Sequence, residues 1–110
     1  VALFASQAAR LSLARLAYAR GAEACLLDDP LAAVSGPVAR HLAERLLQGP
    51  LLAGRARVVV CQPNDLQLLA FDRVVLLRDG RVAVQGTPAE VAQTQQFRAL
   101  LADDGCAWGA

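Results

Sequence analysis

Two adjacent carboxylates, Asp28 and Asp29, close the apolar run "ACLL" and stand directly before Pro30. Side by side, next to leucines expected to be buried, they repel each other and raise the cost of staying charged. A divalent cation, or a phosphate carrying one, offsets that cost. Bulk water does the same if the pair sits in a solvated loop. Paired acids at a strand end suit a nucleotide site, where one carboxylate holds Mg²⁺ and its neighbour orients a hydrolytic water. The spacing alone leaves both readings open.

The elements that must position the pair can be read from periodicity. Ser6 is placed to cap a helix over residues 7–20, with Ala9, Leu13, Leu16 and Ala17 on its apolar face and Gly21 beyond its end. "EACLLD" reads as a buried strand ending at Asp28. Pro37 suits the first turn of a helix over residues 38–48, with Val38, Leu42 and Leu46 on one side. "ARVVVCQ" is continuous and β-branched, the pattern of a strand covered on both faces. Pro63 opens a short helix through Leu69. "DRVVLLRDGRVAVQG" then predicts a hairpin turning at Asp79-Gly80. "TPAE" predicts a capping box, with Thr87 as the cap, ahead of a C-terminal helix.

Buried strands alternating with helices predict an α/β domain with a parallel sheet, layered with helices and ending in a β-hairpin and a helix. Ligands in such sheets gather outside the carboxyl ends of the strands. Asp28 and Asp29 lie at one such end, and Cys61 and Gln62 at the next. Two strands make a poor sheet alone, and the chain begins with Val rather than Met, so a fragment lacking N-terminal elements is expected. Residues 1–102 are read as the partial domain and residues 103–110 as a tail.

Bulk properties narrow the field. The chain has 110 residues, net charge +1 and mean hydropathy +0.36. That charge points to neither nucleic acid nor an anionic membrane. No apolar run reaches the roughly 20 residues of a membrane span. Cys25, Cys61 and Cys106 lack the spacing of a metal knuckle and read as reduced thiols. His41 is the one histidine, and it falls on a helix surface.

Several stretches, in collinear order, resemble the nucleotide-binding domain of ABC transporters, in the form of the multidrug-resistance-associated branch (the C subfamily). "LFASQAARLSLARLAY" is similar to the signature segment. "CLLDDPLAAV" is similar to the Walker B strand and D-loop. "RVVVCQPNDLQLLAFDRVVLLRDGRVAVQGTPAEV" is similar to the switch strand, H-loop and final strands. The resemblance implies the C-terminal half of a P-loop NTPase-type domain. The Gly-rich phosphate loop would lie upstream, since no GxxxxGK[ST] occurs in the chain.

The resemblance also assigns roles. Asp28 takes the Mg²⁺-holding place and Asp29 the place of the catalytic Glu, one methylene (about 1.5 Å) shorter. Gln62 replaces the switch histidine and cannot titrate near neutral pH. Ser35 replaces the D-loop acid. Leu3, Phe4, Ala5, Ser6 and Gln7 occupy the signature loop, with Phe4 in place of its serine and Ala5 and Ser6 in place of its glycines. Added Cβ atoms there obstruct close backbone approach to a phosphate. From burial habits alone, Phe4 is expected in a core. The implied ligands are ATP and Mg²⁺. The implied partners are a second nucleotide-binding domain and the membrane domains of the same exporter, at the cytosolic face. The altered positions imply a slow ATP site, or alternatively a non-catalytic regulatory or assembly half-domain, or a decayed fragment.

Overall fold

The computed structural model describes residues 2–103, so Cys106 and the expected tail beyond Asp103 lie outside the described residues. The chain is mixed α/β, with one parallel and one antiparallel two-stranded sheet. Among the described residues, no helix is long and apolar enough to cross a membrane. Two compact units divide after Leu69.

The first unit opens with α1 (Ala5–Tyr18). Its inward face is the one read from the sequence, with Leu13 buried and Ala9, Leu16 and Ala17 half-buried. The start differs. Phe4 takes the cap position and its N–H donates to Gln7 Oε1 at 3.0 Å, while Ser6 lies within the first turn. An i, i+3 amide partner thus replaces the expected hydroxyl cap. At the far end, Arg55 Nη1 donates to the Ala19 carbonyl at 3.0 Å, satisfying a backbone acceptor the helix leaves open.

β1 (Ala24–Asp28) pairs in parallel with β2 (Ala56–Val60), from Ala24 opposite Ala56 to Asp28 opposite Val60. One expectation fails here. Only Cys25 and Leu27 of β1 are buried; Leu26 is 80% exposed, and Val58 and Val60 of β2 are exposed as well. A two-stranded sheet packed on one face leaves alternate side chains in solvent, because successive residues point to opposite faces. The apolar pattern of these strands fits a larger sheet than these two strands make.

Between the strands runs α2 (Gly36–Leu42), which continues without a break into one wide π-turn over Ala43–Leu47. The expected helix exists, but its register is widened: Gln48 N–H donates five residues back to the Ala43 carbonyl at 3.0 Å. The buried line is Ala39, Ala43 and Leu47, with Val38, Leu42 and Leu46 half-buried beside it. Arg57 Nη1 closes the end by donating to the Leu47 carbonyl at 2.6 Å. Gly49 is required at the exit, since a Cβ there would run into the Arg45 carbonyl.

The second unit is built on the hairpin of β3 (Val74–Arg78) and β4 (Arg81–Gly86). Asp79 and Gly80 both take positive φ, 51° and 74°, in the mirror-image turn that matches strand twist. The register slips between Leu76 and Leu77, which face Val84 and Val82. The capping box is present: Thr87 Oγ1 accepts from Glu90 N–H at 3.2 Å and Glu90 Oε2 accepts from Thr87 N–H at 3.3 Å. The helix it starts, α3 (Pro88–Ala92), stops early, and α4 (Gln95–Asp103) follows. Thr94 makes the break by donating to the Val91 carbonyl at 2.7 Å and accepting from Phe97 N–H at 3.3 Å. Leu76, Val91 and Phe97 form this unit's core.

Thr87→Ala is expected to lower stability by about 1 kcal/mol, and Thr87→Ser to keep most of it, by urea denaturation. Asp79→Val is expected to cost on the order of 1–3 kcal/mol, because a β-branched residue tolerates positive φ poorly.

Candidate functional site

Parallel pairing sends the carboxyl ends of β1 and β2 to the same end of the sheet. Asp28 ends β1 and is exposed. Asp29 follows in the left-handed region, φ 47°, a conformation Asp tolerates better than most residues. Its N–H donates to the Val60 carbonyl at 2.6 Å, so the ladder holds it one residue past the strand. Being next to Pro30 makes this backbone unusual, because proline steers its predecessor toward extended angles.

Gln62, two residues past β2, reaches back across the strand ends. Its Nε2 donates to Asp29 Oδ2 over a long 3.5 Å. The other carboxylate oxygen, Asp29 Oδ1, is buried and has no hydrogen-bond partner. A buried acceptor left open costs free energy until a donor or cation meets it. Asp28 and Asp29 also line an open cleft of about 580 Å³, whose other wall is α1 through Ala9, Ser12, Leu13, Arg15 and Leu16.

Asp65 was not singled out from the sequence, yet it belongs to this end of the sheet. Its Oδ2 accepts from the Gln62 N–H at 3.2 Å, fixing the loop that carries Gln62 into a 3₁₀ turn over Pro63–Gln67. Burial raises its carboxyl above the usual range, the Gln62 N–H pulls it down, and the Asp29 charge pushes it up. The available signal was the i, i+3 spacing of Gln62 and Asp65 around Pro63, which resembles a helix start. Cys61 directly follows β2, one residue before Gln62. Burial first, then the charges of Asp65 and Asp29, push its thiol from 9.0 up to about 11.

The other expected site residues lie elsewhere. Leu3 precedes α1, Phe4 caps it and Ala5, Ser6 and Gln7 form its first turn, and Ser35 occupies the cap position of α2. Among the described residues, no hydrogen bond joins any of them to Asp28, Asp29 or Gln62. Phe4 is corrected outright. Its ring is 77% exposed rather than packed in a core, because it precedes the first turn and nothing in the described chain lies over it. His41 is exposed, as expected. Among the described residues, no group of three or more His, Cys, Asp or Glu can hold a metal ion alone.

Comparison with known proteins follows the same lines. No protein-family model matches the chain. The chain is 45% identical over 94 residues to the metal resistance protein YCF1 of Saccharomyces cerevisiae, covering 84% of this chain and 6% of that protein. It is 38% identical over 97 residues to the ATP-dependent bile acid permease of the same yeast, covering 88% of this chain and 6% of that one. With the human ATP-binding cassette sub-family C member 10 it shares 41% identity over 91 residues, 83% of this chain and 6% of that protein. The chain therefore spans only about 6% of the length of these curated relatives.

The Cys61 thiol is expected to be nearly inert to alkylating reagents at pH 8 and to react faster as the pH approaches 11. Asp65→Asn, which removes one of the charges that push it up, is expected to speed alkylation at a given pH. Stability follows the same sign. Above pH 9.0 the unfolded chain loses this proton before the folded one, so stability falls as pH rises toward 11. Mass spectrometry of the labelled thiol and denaturation at each pH check both.

Proposed function

We propose that this chain, homologous over most of its length to segments of ABC transporters of the C subfamily, is the C-terminal half of an ATP-binding and ATP-hydrolysing domain of a membrane exporter, with a slow ATP site. The observation that carries this reading is the convergence of Asp28, Asp29 and Gln62 at the shared carboxyl end of two parallel strands. Acids at that place in an open α/β sheet face the region where ligands gather.

The residues present fit a magnesium nucleotide. Asp28 is exposed at the strand end, and Asp29 carries a buried oxygen with no partner. Two carboxylates are too few for an all-protein metal cage, but Mg²⁺ commonly takes one or two carboxylates and completes its shell with phosphates and water. Asp28 would hold Mg²⁺ there, and the ion supplies charge neutralisation on the phosphate oxygens. Asp29 would orient and deprotonate the attacking water, at a disadvantage of one methylene relative to Glu. Gln62 holds Asp29 and can donate to a phosphate oxygen, but it carries no positive charge.

The start of α1, with Leu3, Phe4, Ala5, Ser6 and Gln7, would face the nucleotide of a second nucleotide-binding domain, and Ser35 would lie at the joint between the two domains. The side chains of Phe4, Ala5 and Ser6 obstruct backbone approach, which weakens that contact. The parent would be membrane-associated, with this segment on the cytosolic face beside its membrane domains. A second reading, an assembly half-domain without catalysis, draws on Phe4, whose exposed ring stands where the resembled loop has serine.

The isolated chain is expected to turn over no measurable ATP. In the parent transporter, Asp29→Glu combined with Gln62→His is expected to raise ATP turnover at least about tenfold, as a better-placed base and a charged switch each lower the barrier. No turnover in any combination overturns the catalytic reading and leaves the assembly one.

A further inference from the structure

Gln62 is exposed, and its carboxamide reaches Asp29 Oδ2 over a long 3.5 Å. A bond of that length is weak, and an exposed glutamine has many rotamers open to it. The aim of Gln62 at Asp29 therefore depends on how firmly its backbone is held. Pro63 and Leu69, near the two ends of the loop that follows, are buried. Apolar contacts of this kind are non-directional, so polar ones must set the orientation of the turn between them.

Two polar contacts do so. At the front, Asp65 Oδ2 accepts from the Gln62 N–H at 3.2 Å. At the back, the Asp65 carbonyl takes the N–H groups of Leu68 and Leu69, each at 3.0 Å, and the Leu68 carbonyl accepts from Gln48 Nε2 at 3.0 Å. The end of a helical turn leaves such carbonyls open, and a side chain from another element closes this one.

Gln48 is itself fixed by the wide turn after α2. Its N–H meets the Ala43 carbonyl at 3.0 Å, and its Nε2 returns to the same carbonyl at 3.2 Å. One carboxamide hydrogen is thus engaged on its own helix, and the other is directed to Leu68. With one residue fewer in that turn, the side chain would emerge about 100° away around the helix axis.

We propose that Gln48 and Asp65 are positioning residues: by holding the two ends of the turn over Pro63–Gln67, they aim the Gln62 carboxamide at Asp29. The inference rests on the reading of Asp29 and Gln62 as parts of one site, and adds two residues that act on it only through Gln62. It also gives the wide turn a task, which is to point Gln48 at the back of the loop.

The test is nuclear magnetic resonance of this chain, isotope-labelled, near neutral pH and without nucleotide. The side-chain amide resonances of Gln62 report its contact, so Asp29→Asn is expected to move them. Asp65→Ala removes the acceptor of the Gln62 N–H, and Gln48→Met removes the donor to Leu68 at nearly constant length. In each of them the response to Asp29→Asn is expected to shrink at least about twofold. Asp65→Asn keeps an oxygen that can accept from the same N–H, and is expected to retain most of the response. Residues that only stabilised the fold would lower the unfolding midpoint and leave the response intact in the folded chain. Gln48 is exposed and Asp65 half-buried, so neither change opens the core. The backbone amide resonances of β1 and β2 verify this, and unfolding of one variant leaves the other, at the opposite end of the turn, to decide. An undiminished response in both variants, or no response to Asp29→Asn in the otherwise unaltered chain, overturns the proposal. A response lost equally in Asp65→Asn and Asp65→Ala overturns the role of Asp65, because charge rather than the bond would then be responsible. No ATP enters the measurement, so a parent transporter that fails to turn over ATP leaves this result standing, and a negative result here leaves the catalytic reading to its own test.

Discussion

Two parallel strands cannot be joined by a tight turn, so the chain must leave the end of β1, cross back and begin β2 at the starting edge. The consequence is that both strands finish at one place. Here the register is fixed from Ala24 opposite Ala56 to Asp28 opposite Val60, and one further bond, from Asp29 N–H to the Val60 carbonyl at 2.6 Å, carries the ladder past the last strand residue. Every acid of the candidate site is positioned by that shared end. A slip of one residue would turn Asp28 to the packed face and bring Leu27 out.

Two arginines keep the crossover in place. Arg55 meets the open carbonyl at the end of α1, and Arg57 meets the one at the end of the wide turn after α2. Helix ends leave carbonyls that need donors, and a guanidinium offers several in one plane. The two long side chains, both at the start of β2, thus join the helix ends to the strand that completes the site. Gly49 performs a related task by absence, since the chain leaves the helix too close to the Arg45 carbonyl for any side chain.

The electrostatics at the strand ends are those of a crowded acid cluster. The Asp29 charge pushes the Asp65 carboxyl up, and both acids push the Cys61 thiol up. Gln62 sits between them, its backbone N–H held by Asp65 and its carboxamide directed to Asp29. A neutral residue that donates from its backbone to one acid and from its carboxamide to the other links two carboxylates without cancelling their charge. Neutral Gln62 offsets none of that charge, as a histidinium in the same place would.

Local signals determined much of this protein before any tertiary contact. The Asp79-Gly80 hairpin, the Thr87 and Glu90 capping box, the inward face of α1 and the strand ending at Asp28 are all set by neighbours within a few residues, which is why they were legible. Whatever depends on distant partners was not. The exposure of Leu26, Val58 and Val60 reflects which strands and layers lie alongside, and residue pattern alone cannot count those. The wide turn at Ala43–Leu47 answers to Arg57 and Leu68, each of which bonds the end of that helix from far along the chain. The meeting of Asp29, Gln62 and Asp65 needed the strands to pair in register, because residues more than thirty positions apart become neighbours only through the fold.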